Sequence, residues 1–191
     1  VAINMNCIIY LVRSSEKDVE EFNKSLRLLE ENLLKYTTAD VLVFVEESFE
    51  KYKSKVETNL ELLYQTIEFN LPDYPSEILD NIPEFYPHPT HGNGPIEWGH
   101  PGFTMGYRHM CRLFSGEIYK FPVVQEYEYY IRLDTDSFIH TSLGYDIFKW
   151  AKDNECWYGY VAPAVQQDNE KAVEGLSEFV NSIYPNQIPD R

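Results

Sequence analysis

Apolar residues fall into two kinds of pattern along this chain. Residues 7–12 (CIIYLV) and 40–45 (DVLVFV) are near-continuous apolar runs, the signature of strands buried on both faces of a sheet. Between them Val19, Phe22, Leu26, Leu29 and Leu33 recur three and four apart, which predicts a helix over 16–35 with one core-facing stripe. Ser15, followed three positions later by Asp18, resembles a capping box at its start, with Asp in place of the usual Glu. A short helix over 49–56 and a third strand over 62–69 (LLYQTIEF) are expected next. Strands alternating with helices predict an α/β fold with a largely parallel sheet between helices.

The pattern then breaks. Residues 71–101 hold Pro72, Pro75, Pro83, Pro87, Pro89, Pro95 and Pro101 with Gly92, Gly94 and Gly99, so regular structure is not expected over most of them. A connection this long in a compact domain is usually functional or mobile. His88, His91 and His100 suggest zinc at first sight, but their spacing fits no standard helical ligand set, and ordinary loop histidines are the stronger reading. Periodicity returns over 104–120, a predicted helix with Tyr107, Met110, Cys111, Phe114 and Ile118 as its stripe. Arg108 and Arg112 lie four apart on another side. They either pair with carboxylates, slightly favoured in so acidic a chain, or face a phosphate. A helix over 145–152, a strand over 157–161 and a helix over 169–183 complete the reading. No internal repeat or boundary divides residues 1–191, which are expected to form a single domain.

The stretch that carries chemistry is 126–140, EYEYYIRLDTDSFIH. Tyr127, Tyr129, Ile131 and Leu133 alternate with Glu128, Tyr130, Arg132 and Asp134, a strand pattern. Side chains two apart on a strand point the same way, so Asp134 and Asp136 are expected to converge where the apolar run ends. In open α/β sheets ligands bind outside the carboxyl ends of strands. Two carboxylates so close favour a cation between them, and a diphosphate is a natural second ligand of a hard divalent cation. The competing reading is two solvated aspartates in a turn.

Composition narrows the function. Hydrophobic residues make up 43% and aromatics 15% of the 191, which marks a globular chain. Thirty-one acidic against 16 basic residues leave a formal charge of −15, which argues against nucleic acid as a partner and fits a site that takes a metal before an anion. No window of about 18 or more apolar residues is present, so no membrane segment is expected. Cys7, Cys111 and Cys156 are odd in number and lack metal-type spacing; free thiols are expected, with one disulfide as the alternative.

The blocks YRHMCRLFSGEIYKFP, YEYYIRLDTDSF and YDIFKWAKDNECWYGY are similar, in order and spacing, to the fungal α-1,2-mannosyltransferases of glycosyltransferase family 15. Leu11, Val12 and Arg13 match that family's segment after the first strand. The resemblance implies a GT-A fold and transfer of mannose from GDP-mannose to a glycan acceptor, with retention of configuration and Mn²⁺ as cofactor. By position Asp134 and Asp136 replace the family's acidic metal pair, with Asp134 also at the nucleotide sugar. Arg13, Tyr107 and Arg108 look like nucleotide-sugar contacts. The resemblance names no catalytic residue in this stretch. It further implies that the chain lacks the C-terminal acceptor half, since the family's domain continues past the point matching Arg191. The expected location is the Golgi lumen, with any anchor outside this chain, or the cytoplasm if there is none. One departure stands out: the family usually has Glu-Pro-Asp where this chain has Asp134-Thr135-Asp136.

Two other functions compete with the metal-dependent glycosyltransferase. One is a non-catalytic nucleotide-sugar or metal-binding module. The other is a phosphatase of the haloacid dehalogenase type, with Asp134 as nucleophile, which is disfavoured because no adjacent acidic pair follows Asp136.

Overall fold

The structure is a computed structural model describing residues 5–70, 85–86, 103–159 and Ser182. The chain divides into two compact units, Val1–Glu84 with Thr104–Trp157 and Phe85–Phe103 with Tyr158–Arg191. Of the second unit few residues are described, among them a two-residue strand, β4 (Phe85–Tyr86), paired with β5 (Phe103–Thr104).

The first unit is built on β1 (Asn6–Val12), β2 (Asp40–Val45), β3 (Leu62–Thr66) and β6 (Tyr129–Leu133). They form one four-stranded sheet in the order β3-β2-β1-β6, with every neighbouring pair parallel. The strands ending at Val12, Val45 and Leu133 are therefore neighbours, as the apolar runs predict. β1 shows why a continuous run marks a central strand. Ile8, Tyr10 and Val12 enter the core on one face with Phe22, Leu26 and Leu29, while Cys7 and Ile9 enter the core on the other with Leu113 and Ile118. All five β1 side chains are at most 2% exposed. Burial pushes the Cys7 thiol up to about 12, so it behaves as a small apolar residue. None of the three cysteines is in a disulfide.

Helix α1 (Glu16–Leu29) covers the first face. Ser15 caps it as expected: its hydroxyl oxygen accepts from the Asp18 backbone N–H at 3.1 Å and its proton goes to the Asp18 carboxylate. The single helix predicted over 16–35 is instead α1 followed by a π-helical turn, Glu30–Leu34. A 3₁₀ helix, Glu47–Lys55, replaces the expected helix over 49–56. The third strand stops at Thr66, short of the predicted 69, because Ile67 turns into the core beneath the opposite layer.

That opposite layer is α2 (Met105–Ser115), a 3₁₀ turn (Glu117–Lys120) and α3 (Pro122–Gln125). The helix predicted over 104–120 thus ends at Ser115, and Pro122 opens α3 where a missing N–H costs nothing. Helix α4 (Ile147–Asp153) follows β6 and buries Phe148 on the α1 side. Residues 157–159 are not a strand, and Trp157 is 97% exposed and Tyr158 81%. Residues 160 and 161, the predicted helix over 169–183 apart from helical Ser182, and His88, His91 and His100 lie outside the described residues.

Candidate functional site

A parallel sheet gathers all its carboxyl ends on one edge. The chain leaves β1 to one side for β2 and β3, and returns on the other side as β6. Connections diverge at that point, which is where open α/β sheets bind their ligands. Arg13 follows β1 and Asp134 follows β6, so two sequence-predicted site residues flank the switch point. The register Tyr10↔Leu133 means that β1 runs two residues beyond β6, which leaves Asp134 set back beside it.

Strand geometry ends at Leu133, so the alternation argument does not extend to Asp136. Residues Asp134 to Ser137 form a turn instead. The Ser137 N–H donates to the Asp134 carbonyl at 2.9 Å, and the Asp134 N–H donates to Ser137 Oγ at 3.0 Å. Thr135 is buried beneath the turn, and Asp134 and Asp136 are both exposed.

The turn is clamped to the core by residues that sequence reasoning missed. Ser25 on α1, 1% exposed, donates to the Ser137 carbonyl at 2.7 Å and hydrogen-bonds the Tyr10 hydroxyl of β1 at 2.8 Å. Burial pushes that phenol up to about 12, so it stays neutral. The Asn32 side-chain amide donates to the Ile139 carbonyl at 2.7 Å, the Asn32 backbone carbonyl accepts from the Leu143 N–H at 3.2 Å, and Lys24 lies 3.9 Å over the Phe138 ring. Only the buried serine of α1 could have hinted at this, since it sits polar within an apolar stripe.

On the α2 side, Tyr130, Arg132 and Asp134 continue one face of β6. Arg132 donates from Nε at 3.2 Å and from Nη2 at 2.8 Å to the same oxygen, Asp134 Oδ1. Its guanidinium lies 4.0 Å from the Phe114 ring centroid, and Nη2 is 3.7 Å from Met110 Sδ. Tyr107 comes from the same helix and is 46% exposed. Partial burial, the Cys111 thiol and the Asp134 carboxylate raise its phenol above the ordinary range, with the Arg132 guanidinium opposing them. Tyr107 and Asp134 therefore share one neighbourhood.

The remaining predicted residues have contacts of their own. Arg13 Nε donates to Asp18 Oδ1 at 3.1 Å and its side chain is 74% exposed. Arg108 is half-buried on α2, where its charge is felt by His109. Arg112 follows the carboxylate-pairing reading: it is 3.1 Å from Glu117 and also donates to the Asn70 carbonyl at 2.7 Å. His109 stacks on Phe69 with ring centroids 5.2 Å apart. Burial first, then the charges of Arg112 and Arg108, hold its pKa below the ordinary value against Glu46 and Glu117.

Comparison with known proteins places this geometry. The family model described as glycolipid 2-alpha-mannosyltransferase matches residues 3–186. The chain belongs to that family. Over 181 residues it is 28% identical to the O-glycoside α-1,2-mannosyltransferase omh1 of Schizosaccharomyces pombe, covering 92% of this chain and 43% of that one. The fold is that of the mannosyltransferase Ktr4p of Saccharomyces cerevisiae in complex with GDP, with a TM-score of 0.69 at 24% identity, covering 97% of this chain and 47% of that one. It is also that of core-mannan synthase A of Aspergillus fumigatus in its Mn/GDP form, with a TM-score of 0.65 at 20% identity, covering 95% and 48%. The GT-A-like architecture expected from the sequence is thereby established. The chain spans less than half the length of each of these relatives. Family membership sets the phosphatase reading aside.

Proposed function

We propose that this chain carries the donor-binding part of a metal-dependent retaining glycosyltransferase, which transfers mannose from GDP-mannose to a mannoside or glycoprotein glycan. The observation that carries the reading is the acidic turn at the carboxyl end of β6, beside β1 at the switch point of a family-matched sheet. The expected setting is the Golgi lumen. Among the described residues no helix is long and apolar enough to cross a membrane.

Among the described residues no three His, Cys, Asp or Glu side chains converge as a metal cage. Asp134 and Asp136 nevertheless fit a hard cation, which in phosphate chemistry takes one or two carboxylates and completes its shell with phosphate oxygens and water. When bound, that cation supplies charge neutralisation for a departing diphosphate. The chain's own residues bind and orient. Asp134 and Asp136 present their carboxylates from a turn anchored on Ser25 and Asn32. The Tyr107 phenol, hydrogen-bonded to the Cys111 thiol and held protonated, stands in the same neighbourhood. Arg13 and Arg108 supply fixed positive charge in an otherwise acidic chain.

Titration calorimetry with GDP, with and without Mn²⁺, tests the reading. The expected result is binding that strengthens clearly when Mn²⁺ is present. Equal affinity in both conditions would count against it, and tighter UDP binding would keep the fold and change the donor. Turnover of GDP-mannose with a mannoside acceptor separates the enzyme from a module that only binds.

A further inference from the structure

We infer that Arg132 is an exchange residue: it neutralises Asp134 in the unliganded site and passes to the diphosphate oxygens when a divalent cation takes the carboxylate. The inference rests on the metal-site reading above and adds to it a coupling between the two ligands.

Three features of Arg132 support the exchange. First, both of its contacts to Asp134 converge on a single oxygen, Oδ1, at 3.2 and 2.8 Å. A guanidinium has five N–H donors in a planar fork, so donors remain for a phosphate. Second, its position does not depend on Asp134 alone. The guanidinium is supported by the Phe114 ring at 4.0 Å and by Met110 Sδ at 3.7 Å, both on α2. It therefore stays at the site when the carboxylate is withdrawn. Third, the pair is half in solvent, with side chains 34% and 50% exposed, so solvent screens it and exchange costs little.

The two ligands then become linked. A guanidinium and a divalent cation on one carboxylate repel each other, so metal alone meets a competitor at Asp134. A diphosphate gives Arg132 a new partner and removes that competition. Each ligand raises the affinity of the other by the same factor, as linkage requires.

Calorimetric titrations of MnCl₂ alone, GDP alone and MnCl₂ in the presence of GDP test this on the wild-type chain, Arg132→Gln and Arg132→Lys. In Arg132→Gln, Mn²⁺ alone should bind about two- to fivefold tighter, and the enhancement by GDP should shrink by a similar factor. Arg132→Lys keeps the charge without the fork and should restore part of the enhancement. Unchanged Mn²⁺ affinity and unchanged enhancement in Arg132→Gln, with coupling intact in the wild type, would overturn the exchange while leaving the metal site standing. Absence of coupling in the wild type would instead remove the metal-site reading and the exchange with it. Circular dichroism checks folding. If Arg132→Gln does not fold, Arg132→Lys decides, and an enhancement equal to wild type overturns the proposal.

Discussion

Asp134 and Asp136 share a turn but not an environment. Asp134 is paired with Arg132 and lies near Tyr107, whereas among the described residues Asp136 makes no hydrogen bond or ion pair and is exposed. Removing its charge therefore takes no stabilising contact from the fold and relieves repulsion with Asp134. Asp136→Asn should leave the thermal midpoint unchanged or slightly raised, within about 0.5 kcal/mol. It should also abolish the Mn²⁺-dependent part of GDP binding. Thermal denaturation and calorimetry on the one variant check both halves. A lowered midpoint with intact binding would show a turn aspartate and not a metal ligand.

Elements hold the turn from behind, and α4 shows how strongly one side chain can tie an element in place. Asp146 caps α4, accepting from the Phe148 and Lys149 N–H groups at 3.1 Å and from buried Thr37 Oγ1 at 2.7 Å. Burial pushes its carboxyl up, but the bonds from Thr37, Lys149 and Phe148 outweigh that and hold it below the ordinary 3.8. A depressed carboxyl stabilises the fold above its ordinary value and loses that contribution as pH falls through the folded value. Asp146→Ala should therefore cost about 1 kcal/mol at neutral pH. The difference from wild type should narrow as pH falls below 3.8. Midpoints measured across that range test both the size and the sign.

At the scale of the whole molecule the formal charge of −15 sets the background field. Net charge of one sign repels itself in the compact state. The surface ion pairs, such as Lys149–Asp153 and Lys152–Glu128, are exposed and contribute little that salt could remove. Raising monovalent salt from about 0.01 M to 0.15 M shortens the screening length from about 30 Å to about 8 Å. The thermal midpoint should rise over that range. A fall would mean that exposed ion pairs outweigh the net repulsion.

Much of this architecture was legible residue by residue. The runs 7–12 and 40–45 are strands because both faces of β1 and β2 are buried, and a doubly buried strand can only be written in apolar residues. The capping serine and the parallel sheet follow from spacings of two to four residues, whereas the alternation that predicted two converging carboxylates stops at Leu133. The same local reasoning expected a strand over 157–161, but its described residues, 157–159, are irregular and their aromatic side chains exposed. What only the tertiary structure decided are pairings between distant residues. The strand order sets β6 beside β1 and so brings Asp134 and Arg13 to the same edge of the sheet, with Asp134 set back by the register. Ser25 and Asn32 reach the turn across 112 and 107 residues. Arg132 and Asp134 are near in sequence, but the ring of Phe114 on α2 determines where that guanidinium stands. Periodicity records which side of an element is dry, because neighbours in sequence share that side. Which element covers it is settled by packing the whole chain at once.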